Sequence, residues 1–344
     1  MNLFRTHLRP LVLIGVALLG LAGPARAQHA GYRTLTIAGD PPTTVALFYP
    51  TAVSDRVVPM GPWLPSVAPG APASDARLKG LILVSHGTGG TELNHHNLAA
   101  RLAREGYLVA AVRHAGDNWQ DRSLISSGRY FSERPLQLSR VLDALLASPE
   151  WGSRIPPERI GAVGHSAGGY SVLALAGAQA EAQRSTQHCA AVQDDPGYCS
   201  LAKGAAVMQA PGMSTAAAST VAQAAQPVSV LDRRIRAVVA LAPMAVVFTP
   251  QSLAAISVSV LVIMAEKDAV LNGSYHGGYV AANLPKAQVI TVGGAGHFAF
   301  MAQPTFPLPS AAGDAADNPP SFDRVAFLSA LEKQVTEFFA DQWH

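Results

Sequence analysis

The sequence predicts an α/β protein with a mostly parallel, doubly wound sheet and helices on both faces. From residue 81 onward, short β-branched and apolar runs alternate with stretches whose apolar residues fall at helical spacing. The runs are continuously apolar rather than alternating, the pattern of strands covered on both sides. The chain has 344 residues, 49% hydrophobic and 14% charged, enough to build a large core and too apolar for a disordered chain. Two cysteines exclude a disulfide-dense mini-protein, and 30 Gly and 25 Pro show no collagen-like period of three. A net charge of +2 is too small to point to a nucleic-acid partner.

The first 27 residues are set apart as a secretory signal. Arg5 and Arg9 form a basic start, Leu11 to Gly23 is an apolar run, and Ala25-Arg26-Ala27 is an A-x-A cleavage site. The apolar run has 13 residues, short of the roughly 18–20 a spanning helix needs. Cleavage removes three arginines and no acid, so the net charge falls from +2 to −1. The expectation is a single domain over residues 28–344, exported to the periplasm or the medium, with no membrane span and an open oligomeric state. In an oxidising compartment, Cys189 and Cys199 are expected to form a disulfide closing a polar loop.

Residues 32–37 and 43–49 read as two strands joined by the turn Ala38-Gly39-Asp40-Pro41-Pro42, an antiparallel start to the sheet. Residues 50–79, rich in Pro, Ala, Ser and Gly, read as a long surface loop. Strands follow at 81–85, 107–112, 159–163, 235–241, 258–265 and 288–292. Helices are placed at 92–105, 133–148, 167–178, 274–283 and 322–342. Residues 205–230, rich in Ala, Ser and Gln, suit an excursion over the sheet edge and a simple insertion equally well.

The chemistry concentrates in Gly164-His165-Ser166-Ala167-Gly168. This G-x-S-x-G lies between a strand and an apolar helix, where a sharp turn lifts the serine hydroxyl clear of the sheet. A serine hydroxyl needs a base to become a nucleophile. Asp268 follows one late strand and His297 follows the next, giving the order Ser, Asp, His. His297 is therefore the expected base and Asp268 the acid that orients it, with Glu266 the competing acid. His276 precedes the last strand and His344 is terminal, so neither fits the base.

A tetrahedral oxyanion needs donors. The Ala167 N–H follows the nucleophile, and the loop His86-Gly87-Thr88-Gly89-Gly90 supplies a second amide. Thr88 is the expected donor, with Gly87 its competitor. His114, Asp117, Asn118 and Trp119 follow the next strand at the same sheet edge, where a pocket lining and a hydrogen-bonded loop suit them equally well. Trp119, Tyr170, Met244, Phe298 and Phe300 are candidates for an apolar acyl wall. His86, His95, His96 and His114 as metal ligands would need three elements to converge, and no metal or cofactor is expected.

These features resemble the α/β-hydrolase superfamily. Within it they are similar to the bacterial predicted dienelactone hydrolases, a group related to platelet-activating-factor acetylhydrolases. The resemblance is carried by LVSHGTGG at residues 83–90, LAREGYLVAAV at 102–112, RIGAVGHSAGGY at 159–170 and RAVVALAP at 236–243, with the late Asp and His. It implies an α/β-hydrolase fold and hydrolysis of a small-molecule or lipid-like ester. Two departures bear on substrate. Dienelactone hydrolases use a Cys nucleophile where this chain has Ser166, and acetylhydrolases of the group often carry a larger side chain where it has Ala167. A polyester, a phospholipid acetyl group or a peptide bond as substrate, acyl transfer to an acceptor alcohol, and a non-catalytic binding protein of the same fold are the competing readings.

Overall fold

A computed structural model describes residues 29–207 and 227–343. The expected signal segment lies outside the described residues, as does most of the stretch 205–230. Ten strands form one sheet: β1 (His29–Ile37), β2 (Thr43–Thr51), β3 (Arg56–Val57), β4 (Ser66–Pro69), β5 (Leu81–Ser85), β6 (Leu108–Arg113), β7 (Ile160–His165), β8 (Ala237–Leu241), β9 (Ser259–Ala265) and β10 (Gln288–Val292). Their spatial order is β10-β9-β8-β7-β5-β6-β2-β1-β4-β3. The strands from β6 to β10 pair in parallel. The hairpin β1–β2 joins them through an antiparallel pairing of β2 with β6.

The α-helices of the described residues are α1 (His96–Arg104), α2 (Tyr130–Leu146), α3 (Ala167–Leu175), α4 (Ala182–Ala191), α5 (Pro196–Val207), α6 (Pro250–Ala254), α7 (Gly277–Asn283) and α8 (Arg324–Gln342). The central strands need apolar residues at every position because both faces are covered. Leu81 and Leu83 of β5 pack in one core with Leu138 and Leu142 of α2 and Val172 of α3. Ile82 and Val84, one residue out of phase, pack in the other with Leu98 of α1 and Leu331 and Val335 of α8. In register, Ser85 lies beside both Val112 and Gly164, and His165 beside Leu241. The C-terminal ends of β5, β6, β7 and β8 thus form one edge.

Pro135 lies inside α2. It has no N–H to give to the carbonyl four residues earlier. That carbonyl, on Phe131, instead accepts a hydrogen bond of 2.7 Å from Tyr170 Oη. Tyr170 is fully buried and stacks on Phe248 at 5.0 Å. This corrects its placement in an acyl wall, because the ring is spent on the core and the hydroxyl on the helix defect.

Three further expectations change. Residues 50–79 are not one surface loop, because β3 and β4 extend the sheet and Trp63 and Val67 are buried. The first helix begins at His96 rather than Glu92. The Glu92 carboxylate is instead bound by Arg113 and by Thr91 Oγ1, ahead of the helix. The Cys189–Cys199 disulfide is present with a Cα separation of 5.5 Å, and the segment it closes is largely helical, joining α4 to α5, rather than an irregular polar loop. Asp195, between the two helices, accepts hydrogen bonds from His188 Nε2 at 2.8 Å, His276 Nε2 at 3.0 Å and the Asn272 amide at 3.0 Å. The stapled pair is docked in this way on the chain that follows β9.

Among the described residues no helix is long and apolar enough to cross a membrane. Cys189→Ser with Cys199→Ser is expected to lower unfolding free energy by about 2–3 kcal/mol, the chain-entropy value for so short a closure. Urea denaturation of the double variant beside wild type measures it.

Candidate active site

Ser166 stands between β7 and α3 with φ 57° and ψ −117°, a backbone conformation that costs energy for a residue with a Cβ. The turn is tight because the helix is close. A Cβ on Gly164 would lie 2.0 Å from the Gly168 carbonyl oxygen, and one on Gly168 would lie 2.0 Å from that of Ser85. Neither position admits a side chain. The Ser166 backbone is held from both sides: its N–H donates to Leu241 O at 3.0 Å, and its carbonyl accepts from Tyr170 and Met244 at 3.1 and 3.0 Å. Its side chain does not cap α3, and the residue is half-buried.

Asp268 and His297 lie on the turns after β9 and β10. His297 Nδ1 bonds Asp268 Oδ2 at 2.8 Å, and both side chains are 4% exposed. Asp268 Oδ1 accepts the amides of Val270 and Leu271 at 2.9 and 2.8 Å, so both carboxylate oxygens are engaged and the group has one orientation. The competing acid, Glu266, is exposed and accepts the Gly294 amide at 2.7 Å, bracing the glycine turn that leads to His297. His165, next to the serine, draws His297 to the elbow. Its Nε2–H donates to the His297 carbonyl at 2.9 Å, and the two rings are 4.8 Å apart. Among the described residues no hydrogen bond joins Ser166 Oγ to His297. The two are brought together through His165.

The loop after β5 crosses directly over the serine. A Cβ on Gly87 would lie 3.3 Å from Ser166 Cβ. Thr88 Oγ1 bonds Tyr130 Oη at 2.9 Å, and the Gly89 amide donates to Asp117 Oδ1 at 2.7 Å. Among the described residues the amides of Gly87, Thr88 and Ala167 meet no protein acceptor, and the last is the first residue of α3.

Of the two readings of the chain after β6, the structure shows the hydrogen-bonded loop. His114 is fully buried, bonded to Ser85 Oγ at 2.8 Å and Gln137 Oε1 at 2.9 Å, while its amide donates to His86 Nε2. Asn118 Nδ2 donates to His114 O, and its Oδ1 accepts the amides of Gln120 and Asp121, closing a turn. Trp119 is 61% exposed, and its amide donates to Gly90 O at 3.2 Å. Phe300 is buried beside His165, and Phe298 is half-buried against the His297 ring at 5.4 Å.

Sequence reasoning missed a wedge. Leu124, Tyr130 and Ala167 form a separate apolar cluster, with Ile125, Phe131 and Met244 packed on it. Of these only Met244 had been singled out for the acyl wall. The neighbouring aromatics Tyr130-Phe131, just ahead of a helical run, were the one available signal.

Burial disfavours the charged form of His86, His95, His96, His114, His165 and His276. His86 is pushed down to about 3 by burial and then by the Arg134 charge. His95 and His96 are pushed down to about 4 by burial. His114, His165 and His276 are also lowered, burial being the largest cause in each. Among the described residues no group of three or more His, Cys, Asp or Glu is arranged to hold a metal ion.

Comparison with known proteins finds likeness in structure. No family model matches the sequence, and no curated protein does. A ferulic acid esterase from Streptomyces cinnamoneus superposes with a TM-score of 0.59 at 18% identity, covering 92% of this chain and 91% of that one. A dienelactone hydrolase from Anabaena variabilis gives 0.51 at 13% identity over 92% and 100%. An acylaminoacyl peptidase from Pyrococcus horikoshii gives 0.51 at 11% identity over 92% of this chain and 42% of its own. The likeness is one of fold, and the chain has the α/β-hydrolase fold.

The lowered histidines carry a consequence for stability. Unfolded, each takes up a proton near pH 6.5, whereas folded each stays neutral to lower pH. Unfolding therefore binds protons below about pH 6.5, and stability falls as pH drops, by up to about 1.4 kcal/mol per pH unit for each histidine. The urea midpoint is expected to be clearly lower at pH 5 than at pH 7.5; an equal midpoint at the two values contradicts this account.

Proposed function

We propose that this chain is an exported serine hydrolase that cleaves carboxylic esters through an acyl-enzyme. The observation that supports it most is the strained Ser166 turn sharing one sheet edge with the Asp268–His297 pair, joined to it through His165. Ser166 Oγ attacks the ester carbonyl as His297 takes its proton. Asp268 holds the imidazole with Nδ1 toward the carboxylate and stabilises the cation that forms. The amides of Ala167 and Thr88 receive the oxyanion, each worth about 3 kcal/mol to the transition state. His297 then protonates the leaving alcohol, and the same base activates water to release the acid. This chemistry needs no cofactor or metal.

The wedge of Leu124, Ile125, Tyr130, Phe131 and Met244 flanks Ala167 and supports an apolar acyl group. The disulfide suits an exported protein, with residues 28–344 as the single-domain mature form left after signal removal.

Hydrolysis of p-nitrophenyl esters from acetyl to decanoyl, wild type beside Ser166→Ala, is the direct test. Wild type should turn over, and Ser166→Ala should fall by about 10⁴-fold or more. Asp268→Asn should fall by about 10⁴-fold, since the amide no longer fixes the working tautomer. Equal activity in wild type and Ser166→Ala removes the serine from the mechanism. A fluorophosphonate label on an enzyme silent toward these esters retains the serine and rejects the ester class.

A further inference from the structure

A fully buried ion pair lies behind the amides assigned to the oxyanion. Arg134 of α2 bonds Asp117, from the chain after β6, through Nη1 and Oδ2, and both side chains are 0% exposed. Burying two charges is unfavourable unless the remaining donors and acceptors are also satisfied. Here they are satisfied by the loop and the helix that flank Ser166. Arg134 Nη2 donates to the His86 carbonyl and lies 3.4 Å from Ser85 Oγ. Asp117 Oδ1 accepts the Gly89 amide at 2.7 Å. The pair thus grips the chain on both sides of Thr88, two residues before it and one after. On its other side Arg134 Nε donates to Ser171 Oγ at 3.3 Å, and that hydroxyl donates to the Ala167 carbonyl at 2.9 Å.

We infer that the Arg134–Asp117 pair is a positioning device that holds the Thr88 and Ala167 amides at a fixed separation. The inference rests on the serine-hydrolase reading and deepens it. Arg134 touches no substrate. It acts because it is bonded at once to the loop carrying one amide and, through a single hydroxyl, to the helix carrying the other. Oxyanion donors work only when already placed for the charge that develops, and an error of about 1 Å costs on the order of 100-fold in rate. Pinning the loop from one side would leave it free to pivot. The guanidinium and the carboxylate pin it at His86 and at Gly89.

The test compares wild type, Arg134→Met, Arg134→Lys, Ser171→Ala and Ser166→Ala. It reads kcat and KM on the best p-nitrophenyl ester, and affinity for an alkyl trifluoromethyl ketone, which an active serine converts to a tetrahedral oxyanion. Rates are referred to active sites counted by fluorophosphonate. Arg134→Met should lower kcat on the order of 100-fold with KM within about threefold, and ketone affinity should fall by the same factor as kcat/KM. Arg134→Lys keeps the charge but not the fork, and should recover about tenfold of that loss. Ser171→Ala cuts only the link to α3 and should lose about five- to tenfold in both readings. It carries the test should Arg134→Met fail to fold. A merely structural role would lower the melting temperature and the number of active sites while leaving the per-site values unchanged, and that result overturns the inference. Full activity in Ser166→Ala overturns the serine reading itself. An inactive Ser166→Ala beside wild-type kcat and ketone affinity in the folded positioning variants overturns the positioning role alone.

Discussion

Helix α3 approaches strands β7 and β5 so closely that carbonyl oxygens of α3 and β5 occupy the places where side chains of residues 164 and 168 would begin. Most of the sheet's C-terminal edge follows from that contact. With the helix pressed against the strand, the chain can turn between them only by placing Ser166 in the left-handed region, with φ 57°. The strain persists because hydrogen bonds from β8, from the chain after it and from α3 hold the backbone on both sides. The first helical amide is then left without an intrahelical acceptor. The proposed nucleophile and one proposed oxyanion donor are in this sense two results of one steric constraint.

The remaining parts reach that edge through polar contacts, buried at His165, His297 and Asp268 and exposed at Glu266. His165 ties the His297 turn to the elbow, Glu266 braces the glycine turn before it, and Asp268 uses both oxygens to fix the imidazole. Such contacts are strong in a dry setting but demand a single protonation state. His86 shows the demand directly, since its Nε2 must stay free to accept the His114 amide while Nδ1 faces the Gly87 carbonyl. A protein that places so many imidazoles in its interior gains definite geometry at the cost of tolerance to acid.

The strands were legible because fully buried parallel strands have no polar alternative. Residues 81–85, buried at every position, were read at their observed limits, and so was the more exposed edge strand 288–292, where β-branched residues gave the signal. The helix read from Glu92 was not, because the Glu92 carboxylate is engaged by Arg113, twenty-one residues later in sequence and beyond any local periodicity. Helices α4 and α5 escaped notice because α4 is polar with no buried residue and α5 is a short run broken by Gly and Ser, and because their docking combines Tyr198 and Cys199 in the core with the long-range contacts of Asp195, His188 and His276. Tyr170 was misplaced for a similar reason: the partner that claims its hydroxyl is a carbonyl freed by Pro135, far away in the chain.

The amino-acid sequence by itself determined the layered α/β architecture, the glycine-flanked turn at Ser166 and the order of Ser166, Asp268 and His297. Each of these is written in local residue type: continuous apolar runs, glycines where backbone must touch backbone, and polar residues just beyond strand ends. Only the tertiary structure decided that Asp268 rather than Glu266 meets His297, that His114 belongs to the interior, and that Arg134 and Asp117 stand behind the Thr88 loop. Those outcomes depend on which buried donors and acceptors find one another across tens of residues. A buried polar group must be satisfied by whatever the fold brings within about 3 Å, and no sequence spacing specifies that neighbour.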